Sequence, residues 1–337
     1  MKVISASATL AIVLVLFNTG CSSGNSSNQD NVTPTVSEVP EVQTDIELFA
    51  APIDQMTPFS NQFDDARLSE VSGVQRSGLS DVVYYVHNDS DNEPVVYVTD
   101  AQASVLGSIR IAGVQATDWE AIAGARLNGI AHIVIGDIGN NNLPPNDLRL
   151  QIVEEPDFSN LNMGFNIEVN SREVGVSYAD GSSPDAEALF IDGDNDTVIV
   201  VTKNEQNTTE QSIWRGSLST GLSEGDLVLE FFGLVPLADQ PLTNAITDID
   251  IHPDGRQIAL LTYGSISSGN IFIWNAGSNE GTVDALTRQA DTTLAVPFIG
   301  SNVQAEGLSY SADGMHLLVG AEGLFTSTLA VLSVPAQ

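Results

Sequence analysis

The stretch from Asp118 to Asp137, DWEAIAGARLNGIAHIVIGD, decides how the rest of the chain is interpreted. It contains an acidic opening, a short apolar run, a glycine-containing turn and a second apolar run, which is the pattern of a buried β-hairpin. A carboxylate that leaves water without a partner costs several kcal/mol. Glu120, at the head of the first run, is therefore expected to be paired, hydrated or bound to a ligand.

Four further segments repeat this pattern. The leading residues are Glu70, Glu120, Glu187, Thr247 and Glu306, at intervals of 50, 67, 60 and 59 residues. The second strands of the five segments read VVYYVHN, AHIVIGD, TVIVVTK, QIALLTY and HLLVGAE. Intervals of this size are typical of propeller blades rather than of helical repeats. The sequence therefore predicts an all-β protein.

The predicted architecture is a β-propeller with five blades of four-stranded antiparallel sheet, and six blades are the alternative. The fifth unit has only three evident strands before the chain ends. An N-terminal strand from the segment DIELFAAPI, residues 45–53, is expected to complete this last blade. Such closure protects the sheet edges that a linear array would expose.

The N-terminal residues predict export. Met1 and Lys2 precede an apolar run of 15 residues, which is too short to span a bilayer and fits a signal peptide over residues 1–20. Cys21 is the only cysteine, and its context NTGCSSG resembles the lipobox of bacterial lipoproteins. The expected location is a bacterial membrane, the outer membrane or cell surface, with a secreted soluble protein as the alternative. Residues 21–44 then form the lipidated cysteine and a flexible tether, and residues 45–337 form the propeller domain.

The charge of the chain excludes some partners. It has 11 Lys and Arg residues against 44 Asp and Glu residues, a formal net charge of −33 at pH 7. Nucleic acid and anionic membrane surfaces are therefore poor partners, and cations or cationic ligands are better ones. Plain solubility would also explain the acidity. We expect a monomer that contacts membrane only through the N-terminal lipid.

The hairpin geometry brings two sets of residues to one mouth of the central channel. Two antiparallel strands joined by a turn return to the end where they began. The second strands therefore end beside the leading residues, at His87, Asp137, Lys203, Tyr263 and Glu322. Two carboxylates at ~6 Å repel by about 3 kcal/mol at an effective dielectric near 20, so the mouth requires a counter-charge.

A hard divalent cation with oxygen ligands, Ca²⁺, is the expected counter-charge. The predicted ligands are Glu120, Glu187, Glu306 and Asp248. Thr247 interrupts the acidic ring unless Asp248 or Asp250 replaces it through a local register shift. Ion pairing with Lys203 and His87, without any metal, is the alternative. The mouth is also expected to hold a small-molecule or protein ligand. The residues predicted to bind that ligand are Glu70, Asn88, Asp89, Trp119, Asp137, Asn140, Lys203, Tyr263 and Glu322.

His87 is the candidate general base, because its ordinary pKa lies near neutrality. Its other expected role is a hydrogen-bonding residue of the rim. Trp119 is expected either to stack on a ligand or to pack between blades.

The ordered motifs resemble those of a family of largely uncharacterised secreted bacterial β-propeller lipoproteins, over nearly the whole chain after the tether. The motifs are EVSGV and VHNDSDN, DWEAIA and IGDIGNN, DAEALFID and VVTK, TDIDIHPDGRQIALLTY, and QAEGLSYSADG. More distantly, a Glu at the head of the innermost strand is similar to the calcium-dependent phytase-like and gluconolactonase- or paraoxonase-like propellers.

Two functions follow as expectations. The first is a surface-tethered binding module whose acidic, calcium-loaded mouth holds a ligand or a partner protein. The second is a calcium-dependent hydrolase of phosphoesters or lactones, in which the cation polarises the substrate and His87 or a bound water acts as base. The first is favoured, because phosphate-binding hydrolases need cationic side chains and only Lys203 is placed at the mouth.

Overall fold

The computed structural model describes residues 50–51, 53, 59–90, 92–140, 147–193, 196–203, 210–237, 245–264, 268–296, 303–323 and 327–335. The predicted signal peptide, Cys21 and the tether lie outside these residues, as do residues 45–49 of the predicted closing strand. No helix within the described ranges has the length and apolar character needed to cross a membrane.

The strands form five antiparallel units in chain order, preceded by β1 (Phe59–Gln62). The first unit contains β2 (Val71–Arg76), β3 (Tyr84–Asn88), β4 (Val95–Thr99) and β5 (Val105–Ile111). The second unit contains β6 (Trp119–Leu127), β7 (Ile130–Asp137), β8 (Arg149–Glu154) and, after β9 (Phe165–Val169), strand β10 (Arg172–Tyr178). Strand β9 does not join the second unit but pairs in parallel with β5.

The remaining units complete the strand order. The third contains β11 (Ala186–Asp192), β12 (Thr197–Thr202), β13 (Glu210–Ser217), helix α1 (Leu218–Glu224) and β14 (Asp226–Pro236). The fourth contains β15 (Ala245–Ile251), β16 (Gln257–Gly264), β17 (Ser268–Asn275), helix α2 (Thr282–Ala285) and β18 (Thr292–Val296). The fifth contains β19 (Val303–Tyr310), β20 (His316–Gly323) and β21 (Thr328–Ser333), with β1 at its outer edge. A parallel pairing of β10 with β14 joins the second and third units into one eight-stranded sheet.

The innermost strands form a closed cycle, which is the arrangement of a β-propeller. Each contacts the innermost strand of the next unit, in the order β2, β6, β11, β15, β19 and back to β2. Five apolar clusters fill the spaces between neighbouring units, and each cluster draws its residues from two of them. Burial of one Val, Leu or Ile side chain stabilises the folded state by about 1.5–3 kcal/mol, so the packing between units dominates the stability.

The burial pattern explains why the inner strands are easily recognised in the sequence. Every residue of β11 is buried, so its apolar residues run almost continuously. Outer strands such as β18 alternate between partly buried and exposed positions, because one face meets solvent. A central strand covered on both faces gives a continuous apolar run, whereas a half-covered strand gives alternation.

The fifth unit is completed by an N-terminal strand, as predicted, but the position assigned to that strand was wrong. Strand β1, not the segment beginning at Asp45, lies antiparallel to β21, with Phe59 opposite Val331 and Gln62 opposite Thr328. The Phe63 amide donates to the Ser327 carbonyl oxygen at 3.1 Å and continues the ladder. The short polar segment that precedes Phe63 carries little of the apolar signal by which a strand is recognised.

Candidate functional site

A β-bulge occurs at the same place in all five inner hairpins. The register shifts at Ser72, Glu120, Glu187, Thr247 and Glu306. A bulge inserts one extra residue and re-aims a side chain, and it is a common feature beside functional sites. Each of these residues lies near the start of its innermost strand, so all five are at one end of the channel.

The bulge changes the residue assigned to the first unit. The position equivalent to Glu120 is Ser72, and its hydroxyl donates to Glu120 Oε2 at 3.4 Å. Glu70 stands two residues earlier, is exposed, and accepts a hydrogen bond from Asn92 Nδ2 at 2.9 Å. The prediction that Glu70 occupies the leading position of the first unit was therefore wrong by two residues. The bulge that places Ser72 there is visible only in the pairing register of β2 with β3.

Three carboxylates converge at this mouth. Oxygen atoms of Asp89, Asp118 and Glu120 all lie within 4.8 Å of one another. Asp118 and Glu120 are buried, whereas Asp89 is partly exposed toward solvent. Asp118 was missing from the predicted ligands, although it stands two residues before Glu120 in the sequence.

A glycine allows the backbone to approach two of these carboxylates. A Cβ on Gly139 would lie 2.6 Å from Asp118 Oδ2 and 2.7 Å from Glu120 Oε1, closer than carbon and oxygen can approach without a shift. Asp118 is held from the other side, since its amide donates to Asp137 Oδ1 at 2.7 Å. The loop after β7 therefore forms a cradle around the pair.

Burial and repulsion act together on Glu120. Desolvation, followed by the charges of Glu187, Asp89 and Asp118, raises the pKa of Glu120 far above its ordinary value of 4.5. Lys203 opposes the shift but does not cancel it. In the absence of a cation, the Glu120 carboxyl is therefore protonated at neutral pH.

Lys203 is already engaged by a second carboxylate. Its Nζ donates to Glu187 Oε1 in a short ion pair and lies 5.6 Å from the centre of the Tyr263 ring. Burial raises the pKa of Glu187, and Lys203 opposes that rise. The pKa of Lys203 is itself raised by Glu187, which outweighs the opposing effect of burial. The lysine therefore forms its ion pair with Glu187 rather than with Glu120.

The fifth unit adds two more acids. Gln304 Nε2 donates to Glu322 Oε1 at 2.8 Å and to Glu306 Oε1 at 3.3 Å, so the amide bridges the two side chains. Burial raises the pKa of both Glu306 and Glu322, and their mutual repulsion adds to the effect on Glu306. The mouth thus holds more carboxylate groups than cations.

Thr247 and Asp248 do not reproduce the acidic position of the other units. The Thr247 hydroxyl donates to the Ala305 carbonyl oxygen at 2.7 Å. Asp248 is fully buried, and its carboxylate accepts the amides of Leu308, at 2.5 Å, and Ile249, at 2.8 Å. Asp248 therefore connects β15 to β19 rather than joining the three converging carboxylates, because the bulge falls on Thr247.

His87 and Trp119 lie in the core and not on the rim. His87 is fully buried, its Nδ1 pairs with the Asn88 carbonyl oxygen at 2.9 Å, and its ring meets Trp119 edge to face at 5.8 Å. Burial lowers the pKa of His87 to about 4. The side chain is neutral at physiological pH and is shielded from any molecule in the channel.

The other predicted rim residues hold the surrounding loops. Asn88 accepts the Glu70 amide at 3.3 Å and donates to the Arg67 carbonyl oxygen at 2.7 Å. Asn140 is exposed and donates through Nδ2 to the Ser183 carbonyl oxygen at 2.6 Å. Asp137 is fully buried, and desolvation raises its pKa to about 6. These side chains fix the shape of the mouth.

Comparison with known proteins supplies no assignment from sequence. No family model matches the chain, and no curated protein matches it. Three similar solved structures are hydrazine synthase of Kuenenia stuttgartiensis, the tail fiber of Staphylococcus aureus phage P68, and the Cps50 (Swd1) β-propeller domain of Myceliophteria thermophila.

All three similarities are distant. The identities are 12%, 14% and 14%, with TM-scores of 0.37, 0.48 and 0.37. The matches cover 77%, 85% and 82% of this chain. The chain spans 64%, 54% and 69% of the respective structures. The assignment of the fold therefore rests on the closed cycle of inner strands and on the packing between units.

Proposed function

We propose that the chain is a β-propeller binding module whose acidic mouth holds a calcium ion and, through it, a ligand or partner. The observation that carries the proposal is the convergence of Asp89, Asp118 and Glu120 within 4.8 Å. The ligand atoms are all carboxylate oxygens, which suit a hard cation such as Ca²⁺. The cradle at Gly139 supports it, because the chain has no Cβ where one would crowd the carboxylates.

The electrostatics favour an added cation over a structural charge network. Two carboxylates at ~5 Å repel by about 3 kcal/mol at an effective dielectric near 20. Lys203 pairs with Glu187, and a bound cation would relieve the repulsion among the carboxylates of Asp89, Asp118 and Glu120. Calcium takes six to eight oxygen ligands, and three carboxylates leave positions for water and for oxygen atoms of a ligand.

The hydrolase alternative receives less support. Its expected base was His87 or a bound water, and His87 is fully buried, with a pKa lowered by burial to about 4. A hydrolase of phosphoesters also needs a positively charged side chain to bind the phosphate. The cation expected at the mouth, Lys203, forms an ion pair with Glu187 instead. Binding without turnover is therefore the function that the mouth supports best.

Thermal unfolding of chelator-treated protein tests the calcium proposal. Calcium should raise the melting temperature of the full chain, since a ligand at 100 times its Kd stabilises the folded state by about 2.7 kcal/mol. Glu120→Gln should abolish the response. The substitution itself should be nearly neutral without calcium, because Gln resembles the protonated carboxyl that Glu120 carries in that state.

Glu154→Gln is the matched control, because Glu154 is exposed on β8. It should leave the calcium response unchanged. If calcium does not change the melting temperature of the wild-type protein, the proposal is wrong. An equal loss of response in the control would show that only the overall acidity matters.

We also propose that a lipid on Cys21 tethers this module to a bacterial membrane. The proposal rests on the apolar run after Lys2 and on the lone cysteine that follows it. Cys21→Ser should release the protein into the soluble fraction or leave the precursor unprocessed, as measured by fractionation and intact mass. An unchanged mature mass and unchanged membrane association would reject lipidation at Cys21.

A further inference from the structure

The channel has a second opening, which the proposed calcium site does not use. A cavity of about 460 Å³ lies among the C-terminal ends of the innermost strands and is lined by residues from all five units. Arg126 lines this cavity, six residues beyond Glu120 on β6, which corresponds to about 20 Å along a strand. The volume falls in the range of pockets that hold small organic ligands.

Several charges at this cavity are already satisfied. Glu155 is buried and accepts hydrogen bonds from the Ser77 hydroxyl at 2.7 Å, the Gly78 amide at 2.7 Å and the Tyr85 hydroxyl at 2.9 Å. Arg76 Nη1 pairs with buried Asp250 Oδ2 at 2.7 Å. These groups belong to the structure of the channel wall.

Two charged lining residues are exposed, and they lie on different sides. Among the described lining residues, Arg126 on the second unit and Asp254 on the fourth unit are the exposed charged side chains. These units are not neighbours, because the third unit separates them in the cycle. Asp192, on the third unit between them, also lines the cavity and is buried. Asp254 Oδ1 lies 2.8 Å from His252 Nδ1 and accepts the Arg256 amide at 2.8 Å, which holds this carboxylate at the rim of the cavity. The cavity therefore carries an exposed positive charge on the second unit and an exposed negative charge on the fourth.

Arg126 retains donors for a ligand. Its Nη2 donates to the Gly78 carbonyl oxygen at 2.7 Å and its Nη1 to the Gly129 carbonyl oxygen at 3.3 Å, which fixes the guanidinium. A guanidinium has five N–H groups, so these two hydrogen bonds to described residues leave three for a carboxylate. The chain has only 11 Lys and Arg residues against 44 acids, so an exposed arginine at a cavity is uncommon in this molecule.

From these observations we infer that the cavity binds a small zwitterion of the amino acid or short peptide class. The carboxylate of the ligand pairs with Arg126, since guanidinium and carboxylate match as a forked hydrogen-bonded pair. The ammonium of the ligand faces Asp254.

The test is calorimetric titration of the full chain with L-alanyl-L-alanine and two analogues, N-acetyl-alanyl-alanine and alanyl-alanine amide. The free dipeptide should bind, and each analogue should bind at least tenfold more weakly because it lacks one of the two charges. Arg126→Gln and Asp254→Asn should each weaken dipeptide binding at least tenfold. Arg110→Gln is the matched control, since Arg110 is an arginine paired with exposed Glu93 on the first unit, and it should leave the affinity unchanged.

Absence of dipeptide binding at millimolar concentration would overturn the inference, and so would equal binding of all three compounds. If Arg126→Gln fails to fold, the Asp254→Asn protein and the two analogues still decide. All titrations contain chelator, so the result is independent of the calcium proposal for the opposite mouth.

Discussion

Glu120 occupies a position that only a bulge could give it. The extra residue in β6 carries its carboxyl into the channel mouth, where Glu187 and Asp118 repel it and burial removes water. A buried acid whose pKa is raised holds a proton that the unfolded chain releases. The free energy of unfolding should therefore depend on pH through Glu120.

The first prediction at the residue scale concerns this proton. In calcium-free protein, the raised pKa of Glu120 makes the folded state retain a proton above pH 4.5, where the unfolded state loses it. The stabilisation is fully present below pH 4.5 and is lost as the pH rises toward the folded pKa. Each retained proton contributes about −1.4 kcal/mol per pH unit to the free energy of unfolding.

Urea denaturation between pH 6 and pH 8 measures this slope. Glu120→Gln should make it less steep by about 1.4 kcal/mol per pH unit, while exposed Glu154→Gln should not change it. Other buried acids at the mouth, Glu306 among them, leave a residual slope. Identical slopes in the wild type and the Glu120→Gln protein would mean that Glu120 is ionised in the folded state.

At the scale of the elements, close approach of strands explains how the cycle closes. Gly307 of β19 lies against β2, where an added Cβ would be 2.8 Å from the Val74 amide nitrogen and 2.9 Å from the Gly73 carbonyl carbon. Both contacts are with backbone atoms, which cannot rotate away. The fifth and first units therefore require glycine at this point.

Gly307→Ala should destabilise the protein by about 1–3 kcal/mol, the usual cost of overpacking a filled interior. Gly193→Ala is the control, because a Cβ at Gly193 meets no atom within 4 Å, and its effect should stay within about 0.5 kcal/mol. Chemical denaturation of both variants gives the two values. If Gly307→Ala is as stable as the control, the packing of β19 on β2 is looser than described.

The innermost strands could be predicted from the sequence, whereas several details of strand pairing could not. The period of the apolar runs indicated the inner strands, because strands buried on both faces are continuously apolar. The bulge at Ser72 could not be predicted, since a register shift depends on the partner strand. Neither could the parallel pairing of β9 with β5, because the alternating sequence of β9 contains no information about its neighbour. Asp118 was missed because its approach to Asp89 and Glu120 depends on the fold around Gly139.

For the whole molecule, the two ends of the channel differ in chemistry. At one mouth several acids surround Lys203, which pairs with Glu187. The other opening carries exposed Arg126 on the second unit and exposed Asp254 on the fourth. A net charge of −33 surrounds both and disfavours simple anions. Calcium and a zwitterion are ligands that such a field tolerates, because neither adds negative charge to the molecule.

The final prediction concerns the pairing of β1 with β21, which completes the fifth unit. If this pairing closes the cycle, weakening it should lower the stability of all five units together. The Phe63 amide points to β21, so alternation along the strand points the Asn61 amide the same way. Asn61→Pro removes that donor, and with it the hydrogen bond from Asn61 Nδ2 to the Gln102 carbonyl oxygen at 3.0 Å, and should cost about 1–3 kcal/mol more than Asn61→Ala, which removes the side-chain bond alone. Gln62→Pro is the matched control, because the Gln62 amide faces away from β21 and edge positions of this kind tolerate proline. Urea denaturation followed by tryptophan fluorescence should show a single transition at a lower midpoint for Asn61→Pro, with Gln62→Pro close to the wild type. Equal midpoints for both variants, or a second transition in Asn61→Pro, would show that β1 is not what holds the cycle together.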